Sequence, residues 1–372
     1  MKELGDILRL WERARAAGEE AVLATVVKTC GSSYRNPGAR LLITASGLRA
    51  GAVSGGCLED DLAKKAFWFS ENGRAVRRYD TTADGEINTS GYGLGCNGTI
   101  YISLERIRRD NATTLELIGN VLAERRCAAI AHSTDTEHAG ERLMIDTSGH
   151  LSDSAALLET EARQALEQFR SRSVTLADGT EFFIEVLTPA PHLLIFGGGV
   201  DAIPLVRIAK MLGWQVSVFD GRADRARRER FPDADVVCRG TAAQAGAQID
   251  PWTVAVLMSH SYTQDLANLR ELAAYPMRYL GILGPRKRTV QLLADAGLNS
   301  AGLPSALHGP MGLDIGADGS EQVALAVAAE IQAAFHGREG GSLRDRCGAI
   351  HPREQARDRA EERLPVQSIA CA

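Results

Sequence analysis

In Ser54-Gly55-Gly56-Cys57-Leu58-Glu59 a cysteine follows two glycines at the predicted mouth of a helix. Glycines bare the backbone there. Amide N–H groups at a helix N-terminus attract anions, and the same field favours thiolate over thiol. Two further cysteines lie in comparable loops, Cys30-Gly31-Ser32-Ser33 and Gly93-Leu94-Gly95-Cys96-Asn97-Gly98. Cys57, Cys96 and Cys30 are therefore candidate thiols for relaying sulfur or facing a metal, Cys57 and Cys96 first for the metal. Gly55 and Gly56 form the turn expected to hold an anionic ligand beside them. A plainer reading makes the glycines turn residues and the cysteines small apolar side chains, which is common for free cysteine.

The second half offers a different chemistry. Gly197-x-Gly199-x-x-Ala202 follows the apolar run Leu193-Leu194-Ile195-Phe196 and precedes a helical stretch, the setting of a dinucleotide turn. Asp220 ends the next predicted strand, where a carboxylate can accept from a ribose 2′-OH, although Asp201 would bring negative charge close to a pyrophosphate. Gly281-Ile282-Leu283-Gly284-Pro285-Arg286-Lys287-Arg288 turns on Gly284 and sets cations at a helix start, with Arg286 the expected partner of a terminal phosphate. His260, in Met258-Ser259-His260, closes another strand as a candidate proton carrier, metal ligand or donor. No H-E-x-x-H or G-x-S-x-G pattern supports a hydrolase.

The elements that must carry these residues fall into a repeat. Ala21–Val26 leads to Gly38-Ala39-Arg40-Leu41-Leu42-Ile43, and Ala128–His132 leads to Gly140-Glu141-Arg142-Leu143-Met144-Ile145. A helical stretch and an alternating strand close each copy, Thr99–Leu104 in the first and Glu181–Val186 in the second. The second copy keeps the strands but lacks the cysteine loops, which favours a functional reading of the three thiols. After His192, apolar strands alternate with helices, the pattern of a parallel, doubly wound sheet. The expected fold class is α/β, a duplicated α/β N-terminal half plus a C-terminal Rossmann-like doubly wound parallel sheet. Expected boundaries are 1–110 for the cysteine-bearing unit, 111–188 for the degenerate second copy, 189–336 for the Rossmann-like domain and 337–372 for a mobile charged tail.

Composition narrows the partners. The 372 residues carry a net charge of −5, which gives no electrostatic footprint for nucleic acid. No apolar run spans a bilayer, and the N-terminus reads as an amphipathic helix rather than a signal peptide. Seven cysteines without a C-x-x-C pair suit a reducing cytoplasm and speak against structural zinc.

Together these residues resemble the XdhC/CoxI family of accessory proteins for xanthine dehydrogenase and related molybdenum hydroxylases. The resemblance covers most of residues 10–336. It rests on Cys30-Gly31-Ser32-Ser33, Pro37-Gly38-Ala39-Arg40, Gly55-Gly56-Cys57-Leu58-Glu59, Gly95-Cys96-Asn97-Gly98, Leu194–Gly199, Gly281–Arg286 and His308-Gly309-Pro310-Met311-Gly312-Leu313-Asp314-Ile315-Gly316. Departures are Tyr34, Asn97 and Pro285, where the family often has Pro, Gly and Ser. The resemblance implies a maturation chaperone rather than a turnover enzyme. Such a protein binds molybdenum cofactor (molybdopterin or its dinucleotide form), supports its sulfuration by a cysteine desulfurase and inserts it into an apo-hydroxylase. Arg40 joins Arg286 as an expected phosphate partner, and assembly as a homodimer is a further expectation. Two alternatives come from the residues alone: an NAD(P)-dependent oxidoreductase, or a nucleotide-sensing module with inert cysteines.

Overall fold

The computed structural model describes residues 2–31, 33–80, 98–136, 138–139, 141–146, 149–150, 156–246 and 249–347, with the side chains of residues 57, 149, 150, 156 and 157 set aside. Two units emerge, with Asp6–Thr188 and Pro189–Arg346 as their main stretches. Among the described residues no helix is long and apolar enough to cross a membrane.

The first unit follows α1 (Lys2–Ala16) with β1 (Ala21–Gly31), β2 (Arg40–Thr44), β3 (Arg49–Gly51), α2 (Cys57–Phe69), β4 (Ala75–Asp80) and β5 (Gly98–Ile107). A second series comprises α3 (Thr113–Glu124), β6 (Ala128–Ser133), β7 (Arg142–Asp146), β8 (Gly149–His150), α4 (Ala156–Glu167), β9 (Arg172–Thr175) and β10 (Glu181–Leu187). The two five-stranded sheets have the same order, β3-β2-β1-β5-β4 and β8-β7-β6-β10-β9, with antiparallel neighbours. The duplication read from the sequence is therefore a duplication of topology.

Burial explains why β1 reads as a continuous apolar run. Val22, Ala24 and Val26 lie in a core with Leu58, Leu62 and Ala66 of α2, a stripe spaced four residues apart along one helix face. Each such fully buried leucine contributes about 1.5–3 kcal/mol of hydrophobic stabilisation. Val27, Val76 and Tyr101 pack instead with Ala139 of the second copy. A strand covered on both faces has no need of polar alternation.

Two ion pairs cross between the copies, one buried and one half-buried. Arg40, at the start of β2, donates from Nη1 to Glu185 Oε1 of β10 at 2.7 Å and from Nη2 to Glu185 Oε2. Arg142, at the start of β7, donates to Glu105 Oε1 of β5 at 2.9 Å. Arg40 and Arg142 occupy equivalent register positions, opposite Thr25 and His132; Glu105 and Glu185 face Leu23 and Ile130. The pairs are thus reciprocal: each copy supplies the arginine of one and the glutamate of the other, as across a two-fold dimer interface.

The second unit contains β11 (His192–Phe196), α5 (Ala202–Met211), β12 (Gln215–Asp220), β13 (Val236–Arg239), α6 (Ala242–Ala245), β14 (Thr253–Leu257), α7 (Tyr262–Leu272), β15 (Tyr279–Ile282), α8 (Arg286–Ala296), β16 (Leu307–His308) and α9 (Ser320–Phe335). Its sheet runs β13-β12-β11-β14-β15-β16, all parallel. Leu193 and Ile195 point into one core with α5 and α9; Leu194 and Phe196 point into another with α7 and α8. Helices on both faces make the sheet doubly wound, and its order reverses between β11 and β14. A ligand crevice opens at such a switch point, beyond the carboxyl ends of the strands.

Candidate functional site

In the first unit, Cys30 is exposed near the end of β1, paired in register with Thr99 of β5. Lys28, two residues earlier on that strand, is held by the Glu181 carboxylate of the second copy. The loop after β1 reaches the glycine turn through Tyr34, which is 71% exposed and whose Cγ lies 3.8 Å from where a Gly55 Cβ would sit. The Cys30 loop and the Gly55-Gly56 turn are therefore neighbours. Gly56, at φ +123°, caps α2, a backbone conformation that favours glycine. Cys57 begins that helix; its side chain, and all of Cys96, lie outside the described residues.

The turn itself differs from the expectation of bare amides. Gly56 and Leu58 both donate their N–H groups to Ser54 Oγ at 3.2 Å. The Glu59 carboxylate accepts from the amides of Val53 at 3.0 Å and Ser54 at 2.7 Å, and from the Ser54 hydroxyl. Burial pushes the Glu59 pKa up, but these bonds outweigh it and hold the carboxyl below its usual range. The Ser54 hydroxyl thus takes the Gly56 amide that was expected to face an anion, and the Glu59 carboxylate takes the amides of Val53 and Ser54 before it.

The phosphate role expected of Arg40 is corrected more firmly. Arg40 and Glu185 side chains are only 2% and 9% exposed, and the guanidinium is spent on Glu185 and on the Gly38 carbonyl at 3.0 Å. Burial raises the Glu185 pKa, but the Arg40 charge and neighbouring bonds prevail and lower it to about 2. His132 Nε2 sits 3.5 Å from Glu185 Oε2, and burial keeps its pKa below the usual histidine value.

At the carboxyl edge of the parallel sheet the predicted residues do converge. Gly197, at φ +133°, follows β11, and a Cβ there would stand 2.4 Å from the Met258 carbonyl oxygen. Only glycine fits so close an approach. His260, itself at φ +55°, lies beside Gly199, with its Cδ2 3.5 Å from a Gly199 Cβ position. Its Nε2 contacts Asp201 Oδ2 at 2.8 Å, while Ser320 donates to Asp201 Oδ1. Both carboxylate oxygens of Asp201 are thereby engaged by side chains from outside the turn. Ala202 starts α5 and is fully buried, so it packs the helix onto the sheet rather than meeting solvent.

Asp220 reaches the expected strand end but not the expected exposure: its side chain is 0% exposed. Burial raises its pKa, and hydrogen bonds from Arg222 and from the amides of Arg222 and Gly198 more than reverse this. The open ribose acceptor foreseen from the sequence is an internal ion pair. Around Gly284 (φ +117°) the three cations separate. Arg288 pairs with buried Asp265 at 2.7 Å, whereas Arg286 is exposed and forms no hydrogen bond or ion pair among the described residues. Burial pushes the Asp265 pKa up.

Two features escaped the sequence reading. Residues 222–230 hold five arginines, and three of them gather at the glycine turn: Arg222 on Asp220, Arg230 donating to the Gly198 carbonyl at 3.2 Å, and Arg225 with Nη1 3.6 Å from a Gly199 Cβ position. The density of that run was the available signal. The other is Glu330 of α9, which accepts from Tyr279 Oη and the Gly312 amide at 2.6 Å each and lies 3.1 Å from His308 Nδ1. It pins the His308–Gly316 loop to the sheet. Among the described residues no group of three or more His, Cys, Asp or Glu could hold a metal ion.

The pattern of the XdhC and CoxI family matches residues 14–80, and that of the XdhC Rossmann domain matches residues 193–331. A relative from Bacillus subtilis (strain 168), named as a probable xanthine dehydrogenase subunit, is 31% identical over 318 residues, covering 84% of this chain and 92% of its own. The chain belongs to the XdhC and CoxI family. A second relative, the molybdenum cofactor insertion chaperone PaoD of Escherichia coli (strain K12), is 26% identical over 337 residues, 87% of this chain and 86% of its own. A solved structure described as a xanthine dehydrogenase from Bacillus halodurans superposes with a TM-score of 0.72 at 27% identity, covering 91% of this chain and 98% of that one. The family matches take in the Cys30 and Gly55–Cys57 loops and the whole Gly197–Glu330 edge. Residues 81–192, with the whole of the second copy, lie between them.

Proposed function

We propose that this chain receives molybdenum cofactor, holds it by its phosphate at the carboxyl edge of the Rossmann sheet, and passes it to an apo molybdenum hydroxylase of the xanthine dehydrogenase type. The observation that carries the reading is the pair of unengaged guanidinium groups, Arg225 beside the Gly197–Gly199 turn and Arg286 beyond Gly284. Unpaired cations at two glycine turns of one sheet edge, the Arg225 turn at the switch point and the Arg286 turn after β15, suit a phosphate-bearing cargo. The PaoD relative, named as a cofactor insertion chaperone, supports the same direction.

Sulfuration is the finer part of the proposal. A cysteine desulfurase carrying a persulfide would yield its outer sulfur to a thiolate of this chain, one S–S bond forming as another breaks, with no net oxidation. Cys57, Cys96 and the exposed Cys30 are the proposed acceptors.

The test is anaerobic incubation of the purified chain with molybdopterin, gel filtration, and fluorescence of the oxidised pterin. The wild type is expected to retain it; Arg225→Ala and Arg286→Ala should each weaken retention about tenfold, the loss of one charge-assisted contact. Cys57→Ser should lower retention more than Cys347→Ser. A wild-type chain that retains no molybdopterin overturns the reading.

A further inference from the structure

In nucleotide-binding sheets of this order, the carboxylate ending the second strand accepts the adenosine ribose diol. Asp220 holds that place at the end of β12, but its four acceptor positions are taken. Oδ1 accepts from the Arg222 amide at 2.9 Å and from Arg222 Nε at 2.8 Å. Oδ2 accepts from Arg222 Nη2 at 2.7 Å and from the Gly198 amide at 2.8 Å. An ionised carboxylate offers about four lone-pair sites, so an arriving hydroxyl finds none open. It would have to displace a fork-shaped, charge-assisted pair at a side chain closed to solvent. Arg222 is further anchored, since Nη2 also donates to the Ser259 carbonyl at 2.9 Å, tying the end of β12 to the end of β14.

The same loop then turns towards the glycines. Arg225 and Ala226 both donate their amides to the Arg222 carbonyl at 3.1 Å. That turn lays the Arg225 backbone over Gly198, its carbonyl oxygen 2.6 Å from a Gly198 Cβ position, and brings the guanidinium to Gly199. His260 lies beside the same Gly199 Cβ position, its Nε2 at 3.7 Å. The Arg225 guanidinium has no hydrogen-bond or ion-pair partner among the described residues. The diol position is thus shut while a cationic position next to it stays available.

We propose that Arg222 is the specificity residue of the Rossmann half: it masks Asp220, so the half refuses nicotinamide dinucleotides that rely on a ribose diol and selects its ligand by a phosphate group directed to Arg225. This deepens the cargo reading, on which it rests only for the identity of the ligand. Refusal of NADH stands on Asp220 and Arg222 alone.

The full chain is titrated by fluorescence and calorimetry with NADH as the diol probe and inorganic pyrophosphate as the anion probe. Wild type is expected to show no saturable NADH binding at millimolar ligand. Arg222→Ala should gain NADH binding by about tenfold or more, the worth of a hydrogen bond to a charged acceptor, and adding Asp220→Asn should abolish the gain. A structural defect alone would not create new affinity. If Arg222→Ala does not fold, Arg222→Gln, which also loses the fork, should show the same gain. Arg225→Ala should weaken pyrophosphate binding about tenfold. Micromolar NADH binding by wild type, no gain in a folded Arg222 variant, or pyrophosphate binding indifferent to Arg225 overturns the proposal. The NADH arm contains no pterin, so it succeeds or fails independently of molybdopterin retention.

Discussion

Replacing Arg40 with alanine distinguishes a structural ion pair from a ligand contact. Glu185 would keep its buried position but lose both guanidinium bonds, leaving only poorly placed His132 nearby. Removing one partner of a buried pair costs about 3–5 kcal/mol because the other charge stays uncompensated. Its counterpart provides an internal control. Glu105 loses one partner in Arg142→Ala but retains Arg74 at 3.0 Å and the Thr114 hydroxyl at 2.8 Å. The cost there should be about 1.5 kcal/mol, one hydrogen bond to a charged group. Arg40→Met with Glu185→Leu removes both charges and should recover most of the loss. Hydrogen exchange measured on peptides spanning β2 and β10 reads this locally: amides there should open more than about a hundredfold more readily in Arg40→Ala than in wild type. Equal effects of Arg40→Ala and Arg142→Ala, or a loss below about 1 kcal/mol for Arg40→Ala, would refute the reasoning. Unchanged stability with weakened molybdopterin retention would return Arg40 to the phosphate role.

Acid should destabilise the first unit with a defined sign. Glu185 moves from 4.5 to about 2 on folding, so its contribution is complete above pH 4.5 and fades as pH falls towards 2, approaching about 3 kcal/mol. His132, kept neutral by burial, adds a loss that starts below its ordinary 6.5; thermal melts from pH 7 to 3 should fall steadily, and more shallowly below 4.5 in Arg40→Met/Glu185→Leu. Gly197→Ala meets both a positive φ and the Met258 carbonyl and should cost about 2 kcal/mol or more by denaturant titration. Tyr279→Phe strips a donor from Glu330 and should cost about 1.5 kcal/mol, with faster exchange at the Gly312 amide.

Much of the architecture was legible because its causes are local. Alternation in Thr99–Leu104, the apolar run before Gly197 and the repeat of Gly38–Ile43 in Gly140–Ile145 each follow from strand burial and turn chemistry within a few residues. What escaped depended on partners distant in sequence. Arg40 reads as an accessible cation until Glu185, which folding carries to it from the other copy, is in view. Asp220 reads as an open acceptor because no sequence pattern says that an arginine two residues later folds back onto it. Glu59 reads as an ordinary first-turn carboxylate, yet it folds back onto the amides of Val53 and Ser54 just ahead of the glycines. The convergence of Gly197, Gly199, His260 and Arg225 was half visible: strand ends could be placed, but not the turn that sends Arg225 back.

The crossed arginine–glutamate bonds also say why a copy without thiol loops persists. Deleting it would strand buried Arg40 without its counter-charge and leave Glu105 with Arg74 alone. The silent duplicate therefore works as a permanent counterweight. Any pared-down version of this protein must keep it, or rebuild both halves of the seam at once.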